Sequence, residues 1–221
     1  GAQPIGYQWY RNGAPISGAT QATLALDNPS MDDTGLYQVL ATNALSLRPS
    51  VPARVAVDAP PLLGWGENAS GQLGDGSVVD RLEPEFVAAD VVAAAAGAAH
   101  SIFLRADGTL RAMGANLNGQ LGDGTPSTRH TPVQVVGGSN VVAIAAGTSH
   151  SLFLLADGTL RAMGRNADGQ LGDGTTTPRL SPVAVLGASN VVAIAAGAAH
   201  SLVLKHDGTL WGMGANADGQ L

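Results

Sequence analysis

Pairs of histidine and serine recur along the chain at a constant interval and are the residues best suited to catalysis or metal binding. They stand 50 residues apart, at His100-Ser101, His150-Ser151 and His200-Ser201. A histidine could activate a serine nucleophile, and several imidazoles could bind a metal. However, neighbours in a strand point to opposite faces, and equivalent positions on stacked sheets lie about 10 Å apart, too far for shared ligation. We therefore expect structural hydrogen bonds from these histidines, and no catalytic residue, cofactor or metal.

A second repeated motif is acidic and rich in glycine. The sequence GQLGDG occupies 71–76, 119–124 and 169–174, and its first three letters return at 219–221. It lacks the alternating Asp/Asn pattern of a calcium loop, so its Asn, Asp and Gly residues are interpreted as turn formers. An arginine lies five residues after the end of each complete copy, at Arg81, Arg129 and Arg179. This regular recurrence predicts structural pairs between strands rather than a binding cluster.

The elements that position these residues are predicted to be short strands. In one unit, 141–146, 150–155, 159–163 and 182–185 have strand character, and Asp157-Gly158 is a strong hairpin signal. Four antiparallel strands in every 50 residues are typical of a propeller blade. The 30 glycines and the charged fraction of only 13% also favour an all-β fold. Ala-Ala-Gly stretches are expected where blades converge on the propeller axis.

Residues 62–221 resemble the regulator of chromosome condensation repeat family. The resemblance depends on Gly64-Trp65-Gly66-Glu67-Asn68, 71–74, Ala96-Gly97, His100-Ser101 and 107–110, with their later equivalents. It implies a β-propeller of about seven blades, of which this chain would hold three and the start of a fourth. Both ends of the chain are accordingly expected to be cut.

Residues 1–58 show no such period and resemble the immunoglobulin superfamily, so a partial immunoglobulin-like sandwich is expected before the propeller. Trp9 matches the core tryptophan, and Tyr37 matches the tyrosine whose hydroxyl bonds back to the backbone. Val39 stands where the family usually has cysteine, and the chain has none. Strands are predicted at 7–10, 23–27 and from about 35 to 43, with the first two strands of the sandwich missing. Residues 59–61 are the expected linker.

Composition limits the class of partner. The net charge of −6 comes without a basic patch, which argues against nucleic acid, and no apolar run reaches the roughly 18 residues of a membrane span. The expected ligand is therefore a protein or a glycan. In repeat proteins binding is expected at positions that vary between units. The candidate positions are Glu67, Arg111, Arg161, Arg165 and Trp211, together with the loops 77–83, 125–131 and 175–181.

The sequence therefore predicts a non-enzymatic binding, adhesion or protein-interaction scaffold of a secreted or cell-surface bacterial protein. Three alternatives stay open at this point. One is a guanine-nucleotide exchange regulator of a small GTPase, as in the founding member of the repeat family, and another is a propeller-type enzyme inhibitor. A catalytic domain outside these residues is a third possibility.

Overall fold

The computed structural model describes residues 5–27, 29, 33, 35–43, 46–55 and 59–221. The chain divides into two compact units, Gly1–Ala59 and Pro60–Leu221. The described ranges contain eighteen β-strands and no α-helix, so the all-β prediction is confirmed, and no helix there could cross a membrane. The module limits 1–58, 59–61 and 62–221 stay predictions. Asp58, the last residue of the first predicted module, lies outside the described residues.

The described part of the first unit forms one antiparallel sheet. Its strands are β1 (Gly6–Arg11), β2 (Ala14–Pro15), β3 (Gly35–Thr42), β4 (Leu47–Pro49) and β5 (Ala53–Val55). They lie in the order β2-β1-β3-β4, and β5 also pairs with β3. Asn12 and Gly13 join β1 to β2 with φ angles of 51° and 83°. Both residue types tolerate this left-handed backbone, which a two-residue hairpin requires.

Two aromatic residues on β1 and β3 make side-chain hydrogen bonds to the backbone. Trp9 lies opposite Val39 across this pair, and its Nε1 donates to the carbonyl oxygen of Gln21 at 3.0 Å. Tyr37 is only 4% exposed, and its hydroxyl donates to the carbonyl oxygen of Asp33 at 2.8 Å. The predicted bond from Tyr37 to the backbone is therefore confirmed.

The strand predicted at 23–27 is absent, since these residues are irregular. Alternation of apolar and polar residues specifies two faces of a strand but not a partner for its backbone. On β1, the Trp9 N–H donates to Ala19 and the Trp9 carbonyl accepts from Ile16. Residues 16–19 thus form the hydrogen bonds of the Trp9 backbone, and among the described residues no backbone hydrogen bond joins 23–27 to the sheet.

Four antiparallel sheets build the second unit. The first has two strands, β6 (Leu62–Gly66) and β7 (Arg81–Ala88). The next two have four strands each, β8 (Val91–Ala96), β9 (His100–Arg105), β10 (Leu110–Gly114) and β11 (Arg129–Gln134), then β12 (Val141–Ala146), β13 (His150–Leu155), β14 (Leu160–Gly164) and β15 (Arg179–Ala184). The last has β16 (Val191–Ala196), β17 (His200–Lys205) and β18 (Leu210–Gly214).

These sheets divide the strands differently from the expected three blades and the start of a fourth. Two complete four-stranded blades are flanked by a two-stranded and a three-stranded sheet. The GQLGDG motif lies between the third and fourth strands of a sheet, so counting its copies does not count blades. Within the complete blades the predicted strands are confirmed, except that the fourth begins three residues earlier, at Arg179.

Successive sheets pack face to face through apolar side chains. Leu110 and Ala112 of β10 share one buried cluster with Phe153 of β13 and Met163 of β14. All four are fully buried, and burial of a phenylalanine side chain alone contributes about 2–3 kcal/mol. The core therefore lies between blades, which holds the polar residues at both ends of each sheet in fixed positions.

Alanine and glycine at the ends of the inner strands let neighbouring blades approach closely. A Cβ atom on Gly97 would lie 2.6 Å from the carbonyl oxygen of Gly147, and one on Gly147 would lie 2.5 Å from that of Gly197. Just after these strand ends a backbone hydrogen bond also joins two sheets, from the Ala98 N–H to the carbonyl oxygen of Thr148 at 3.3 Å. Small residues thus occur where blades converge, as the sequence predicted.

Candidate functional site

Each buried serine bridges two groups of the preceding sheet. Ser151 Oγ lies 2.9 Å from Nε2 of His100 and 2.9 Å from the carbonyl oxygen of Gln120. The same bridge recurs at 3.0 and 2.9 Å between Ser201, His150 and Gln170. A carbonyl oxygen only accepts, so the single hydroxyl proton goes to it. The histidine must therefore donate from Nε2 to the serine oxygen, which fixes its tautomer.

This arrangement gives the His-Ser pairs a structural role, and the predicted hydrogen bonds between blades are confirmed. A histidine that donates to serine cannot also remove the serine proton as a general base. Neighbours in sequence do point to opposite faces, because His100 bonds forward to Ser151 whereas Ser101 Oγ donates back to the carbonyl oxygen of Gln72 at 2.8 Å.

The bridging imidazoles are neutral at ordinary pH. His100 and His150 are 1% and 0% exposed. Burial lowers the pKa of each to about 4, and the next histidine along the array adds to the effect. Their Nδ1 atoms have no hydrogen-bond partner in the described part of the chain. A Cβ on Gly97 or Gly147 would lie 2.2 Å from Cε1 of the adjacent imidazole, so glycine makes room for the ring.

A buried asparagine organises each long loop between the third and fourth strands. Asn116 is fully buried, and its Nδ2 donates to Asp123 Oδ1 at 3.0 Å and to the Thr125 carbonyl oxygen at 2.7 Å. Its Oδ1 accepts from the Leu121 N–H at 2.9 Å. Asn68 and Asn166 make the equivalent bonds in their loops. The buried asparagine side chain therefore fixes the loop backbone through hydrogen bonds.

The arginine that follows each loop pairs with its aspartate. Arg129 Nε donates to Asp123 Oδ2 at 2.7 Å, and Arg179 Nε to Asp173 at 2.6 Å, as Arg81 does to Asp75. Desolvation alone would raise the pKa of Asp173, but hydrogen bonds from Thr175 and Arg179 outweigh it and lower the pKa to about 2. The arginines are thus structural, as predicted, with the partner inside the preceding loop.

These contacts also occupy the carboxylates that a calcium ion would need. Both oxygens of Asp123 and Asp173 accept bonds from protein donors. Across the described ranges, no group of three or more His, Asp or Glu residues is placed to hold a metal ion.

The five candidate partner-binding residues lie at opposite ends of the sheets. We define the hairpin rim as the end that carries the turns 106–109, 156–159 and 206–209, and the loop rim as the end that carries the long loops 67–80, 115–128 and 165–178. Arg111, Arg161 and Trp211 each stand one residue into a third strand, next to the hairpin rim. Glu67 and Arg165 follow the last residues of β6 and β14, at the loop rim. The five residues therefore cannot form one site within this unit.

The candidates differ in what their side chains contact. Arg165 pairs with Asp168 at 3.2 Å. Trp211 carries the Lys205 ammonium 3.9 Å above its ring centroid, a cation–π contact. Arg111 and Arg161 are half-buried and, within the fully described range 59–221, their guanidinium groups make no hydrogen bond or ion pair. The other basic side chains of that range are engaged, namely Arg81, Arg105, Arg129, Arg165, Arg179 and Lys205.

Arg161 lines a cavity of about 170 Å³ between the two complete blades. Apolar residues form most of its wall, namely Val136, Phe153, Leu155 and Pro182, with Gly137 at its edge. On the next sheet Trp211 takes the position of Arg161, and a Cβ on Gly187 would lie 3.0 Å from its ring. Neighbouring blades thus present an arginine or a tryptophan at the same place.

Sequence reasoning overlooked the buried asparagines. The sequence analysis assigns them to turns, although each lies two positions after a strand-ending glycine, at Asn68, Asn116 and Asn166, and the exposed Asn216 repeats the spacing. This constant position was an available signal. The carbonyl groups of Gln72, Gln120 and Gln170 carried no such signal, because a backbone acceptor does not depend on the side chain.

Comparisons with known proteins agree on the second unit. The regulator of chromosome condensation (RCC1) repeat model matches residues 62–104, 107–154 and 157–204, which together exceed half of the chain. A second model of the same repeat matches 91–120, 141–170 and 191–220. A search of curated proteins found no match.

Solved structures show the same fold. Human WBSCR16 is 23% identical with a TM-score of 0.59, over 91% of this chain and 51% of its own length. Yeast RCC1 (Prp20) bound to Kap60 is 21% identical with a TM-score of 0.62, over 92% and 47%. Prp20p of Saccharomyces cerevisiae, described with its binding to Gsp1p and histones, is 22% identical with a TM-score of 0.61, over 91% and 48%. This chain thus spans about half the length of the solved structures that it matches.

Proposed function

Because the chain belongs to the regulator of chromosome condensation (RCC1) repeat family, we propose that it is a non-catalytic module that binds a partner protein. One observation carries this proposal. The side chains of His100 and His150 and of the three paired serines form hydrogen bonds within the framework, whereas positions that vary between repeats lie at the two rims. Prp20p, which is described by its binding to Gsp1p and histones, supports protein as the class of ligand.

The proposed setting is a secreted or cell-surface bacterial protein, in which the first unit is an immunoglobulin-like domain. Three features support that domain: the pairing of β1 with β3, the tryptophan on β1, and the Tyr37 hydroxyl bond to Asp33. In an immunoglobulin sheet, the strand with the core tryptophan lies beside the strand with this tyrosine. Such a domain would serve as a spacer or as a second binding module.

Site-specific cross-linking tests the proposal. A photoreactive phenylalanine analogue replaces Glu67 at the loop rim or Arg111 at the hairpin rim, and a control variant carries it at Thr131, an exposed position within β11. We expect a rim variant to cross-link a protein from the cell-surface fraction and the purified partner to bind the unmodified chain, while the control does not cross-link.

Two results would contradict this function. One is the absence of a purified protein that binds either rim. The other is faster release of labelled nucleotide from a small GTPase on addition of the chain, which would favour the exchange-factor alternative. If the cross-linked partner is an enzyme and the chain inhibits it, the inhibitor alternative would be favoured instead.

A further inference from the structure

We propose that Arg111 and Arg161 are two adjacent carboxylate-binding positions at the hairpin rim, which together hold two acidic side chains of an extended segment of a partner protein. This inference rests on the proposed protein-binding function and names the chemistry of the partner. It is drawn from the hydrogen-bonding state of the two arginines, the cavity at Arg161 and the spacing of the blades.

The first observation is that both guanidinium groups keep their hydrogen-bonding capacity. A guanidinium has five N–H donors in a planar fork, which matches a carboxylate in two parallel bonds. Arg111 and Arg161 are half-buried, so water solvates them less completely than a fully exposed cation. They are the basic side chains of residues 59–221 that lack an ion pair or hydrogen bond, in a chain of net charge −6.

The nearest acidic groups do not satisfy these arginines. Asp107 accepts from the N–H and hydroxyl of Thr109 at 2.9 and 2.6 Å, and Asp157 accepts from the N–H of Thr159 at 2.9 Å. Hydrogen bonds from these threonines lower the pKa of each aspartate, so both stay ionised. Each aspartate thus attracts its neighbouring arginine without forming an ion pair, and the guanidinium fork remains open to an incoming carboxylate.

The cavity beside Arg161 provides an environment that strengthens such a pair. Its volume of about 170 Å³ is several times the roughly 30 Å³ that one water molecule occupies in the liquid. Phe153 and Leu155 on one side and Val136 on the other make the wall apolar. A carboxylate that enters displaces water and meets the guanidinium at reduced dielectric, where a charge-assisted hydrogen bond is stronger.

Comparison between blades indicates that the framework does not require an arginine at this position. The sheet that follows has Trp211 in the same place, and its β17–β18 pair has the same register as β13–β14. By contrast, the arginines that pair with loop aspartates recur in all three loops. An unpaired arginine on two successive blades is therefore best explained by a ligand.

The spacing of the blades predicts the spacing of the partner's acidic residues. Stacked sheets lie about 10 Å apart, and an extended polyproline II chain advances about 3.1 Å per residue with three residues per turn, so side chains three positions apart lie on one face. Two carboxylates three positions apart therefore match the two arginines. The predicted recognition element is an acidic residue, any two residues and a second acidic residue in an extended conformation.

A short rigid peptide tests this prediction with the complete chain. The probe is fluorescein-labelled Gly-Glu-Pro-Pro-Glu-Gly amide, because two prolines hold the glutamates in an extended arrangement at about 3.1 Å per residue. The control peptide has Gln in place of both Glu residues. Fluorescence anisotropy is measured in 50 mM and 300 mM NaCl, conditions in which exposed charge pairs are screened to different degrees.

We expect the Glu peptide to bind at least tenfold more tightly than the Gln peptide, and the difference to shrink at high salt. R111Q and R161Q should each weaken binding roughly tenfold or more, as expected for the loss of a charge-assisted pair. Arg161→Lys should recover part of the affinity. R165Q is the matched control, because Arg165 lies at the loop rim and pairs with Asp168, and its affinity should stay within twofold.

The proposal is overturned if the Glu peptide shows no binding at 1 mM, if the Gln peptide binds equally well, or if correctly folded R111Q and R161Q bind like the original chain. Circular dichroism spectra of the variants establish that they are folded. A partner that cross-links at the loop rim and still binds the double variant R111Q/R161Q would leave the proposed function intact while this inference fails. If no purified protein binds either rim, the proposed function fails independently.

Discussion

Replacement of Asn116 by alanine tests whether one buried amide holds the long loop of its blade. The change removes two bonds donated by Nδ2, to Asp123 at 3.0 Å and to the Thr125 carbonyl at 2.7 Å, and one accepted from the Leu121 N–H at 2.9 Å. Asn116 and Leu121 are both fully buried, so water does not replace the lost partner of that N–H. A lost bond costs about 0.5–1.5 kcal/mol, and a buried unsatisfied group about 1–3 kcal/mol. We expect N116A to lower the free energy of unfolding by roughly 3–5 kcal/mol.

Urea unfolding followed by far-ultraviolet circular dichroism measures this effect. The matched control is N118A, because the side chain of Asn118 makes no hydrogen bond within residues 59–221 and should change stability by less than about 0.5 kcal/mol. N116D keeps the shape but places a second carboxylate beside Asp123, and it should be at least as destabilising as N116A. A free energy of unfolding for N116A within 1 kcal/mol of the original, a threshold of about the mean effect of a point mutation, would refute the role assigned to this amide.

Three further predictions concern the contacts between sheets and within the first unit. His100 and His150 have pKa values of about 4 in the folded chain against 6.5 when free, so the unfolded chain takes up protons first as the pH falls. The free energy of unfolding should therefore fall by roughly 3 kcal/mol per histidine between pH 6.5 and 4, measured by urea titration at each pH. A flat profile in this window would contradict their burial as neutral rings. Gly147→Ala should destabilise by about 1–3 kcal/mol or more in thermal unfolding, because its Cβ would lie 2.5 Å from a carbonyl oxygen of the next sheet; an unchanged melting temperature would show that the inner strands can separate. Tyr37→Phe should cost about 1 kcal/mol in urea unfolding through loss of the 2.8 Å bond, whereas Tyr10→Phe, which loses no hydroxyl bond in the described residues, should cost less; equal effects would refute the role of that hydroxyl.

Strand positions in the second unit were predictable because the same pattern returns at a constant interval. An Asp-Gly turn between apolar runs specifies a hairpin from local residues alone, and β9–β10, β13–β14 and β17–β18 all follow it. The start of β15, which no such turn precedes, was predicted three residues too late. The segment 23–27 has the alternation of a strand, yet it pairs with no strand in the described part of the first unit.

The partners of the polar residues were less accessible to sequence reasoning. His100 bonds to Ser151, and the two are separated by 51 positions, so their contact depends on which sheet packs on which. The expectation of bonds between blades was correct because repeated residues occupy repeated environments. The identity of the acceptor, a carbonyl group of the preceding loop, requires the packed structure.

The candidate binding residues illustrate the same limit. Variation between repeats selected Glu67, Arg111, Arg161, Arg165 and Trp211 as a single set, because a sequence position does not say which end of a sheet it occupies. The antiparallel register separates them into two rims. Only the side-chain contacts then distinguish Arg165, which has an ion pair, from Arg111 and Arg161, which have none within residues 59–221.

The serine bridge has a consequence for how such chains can change in length. Each complete blade presents a serine to its predecessor and a histidine to its successor, so any two complete blades are compatible neighbours. Duplicating or deleting one 50-residue segment in the gene would bring the same donor and acceptor together at the new junction. The serine bridge would thus keep both partners, so the number of blades in such a chain can change by whole units with this contact intact.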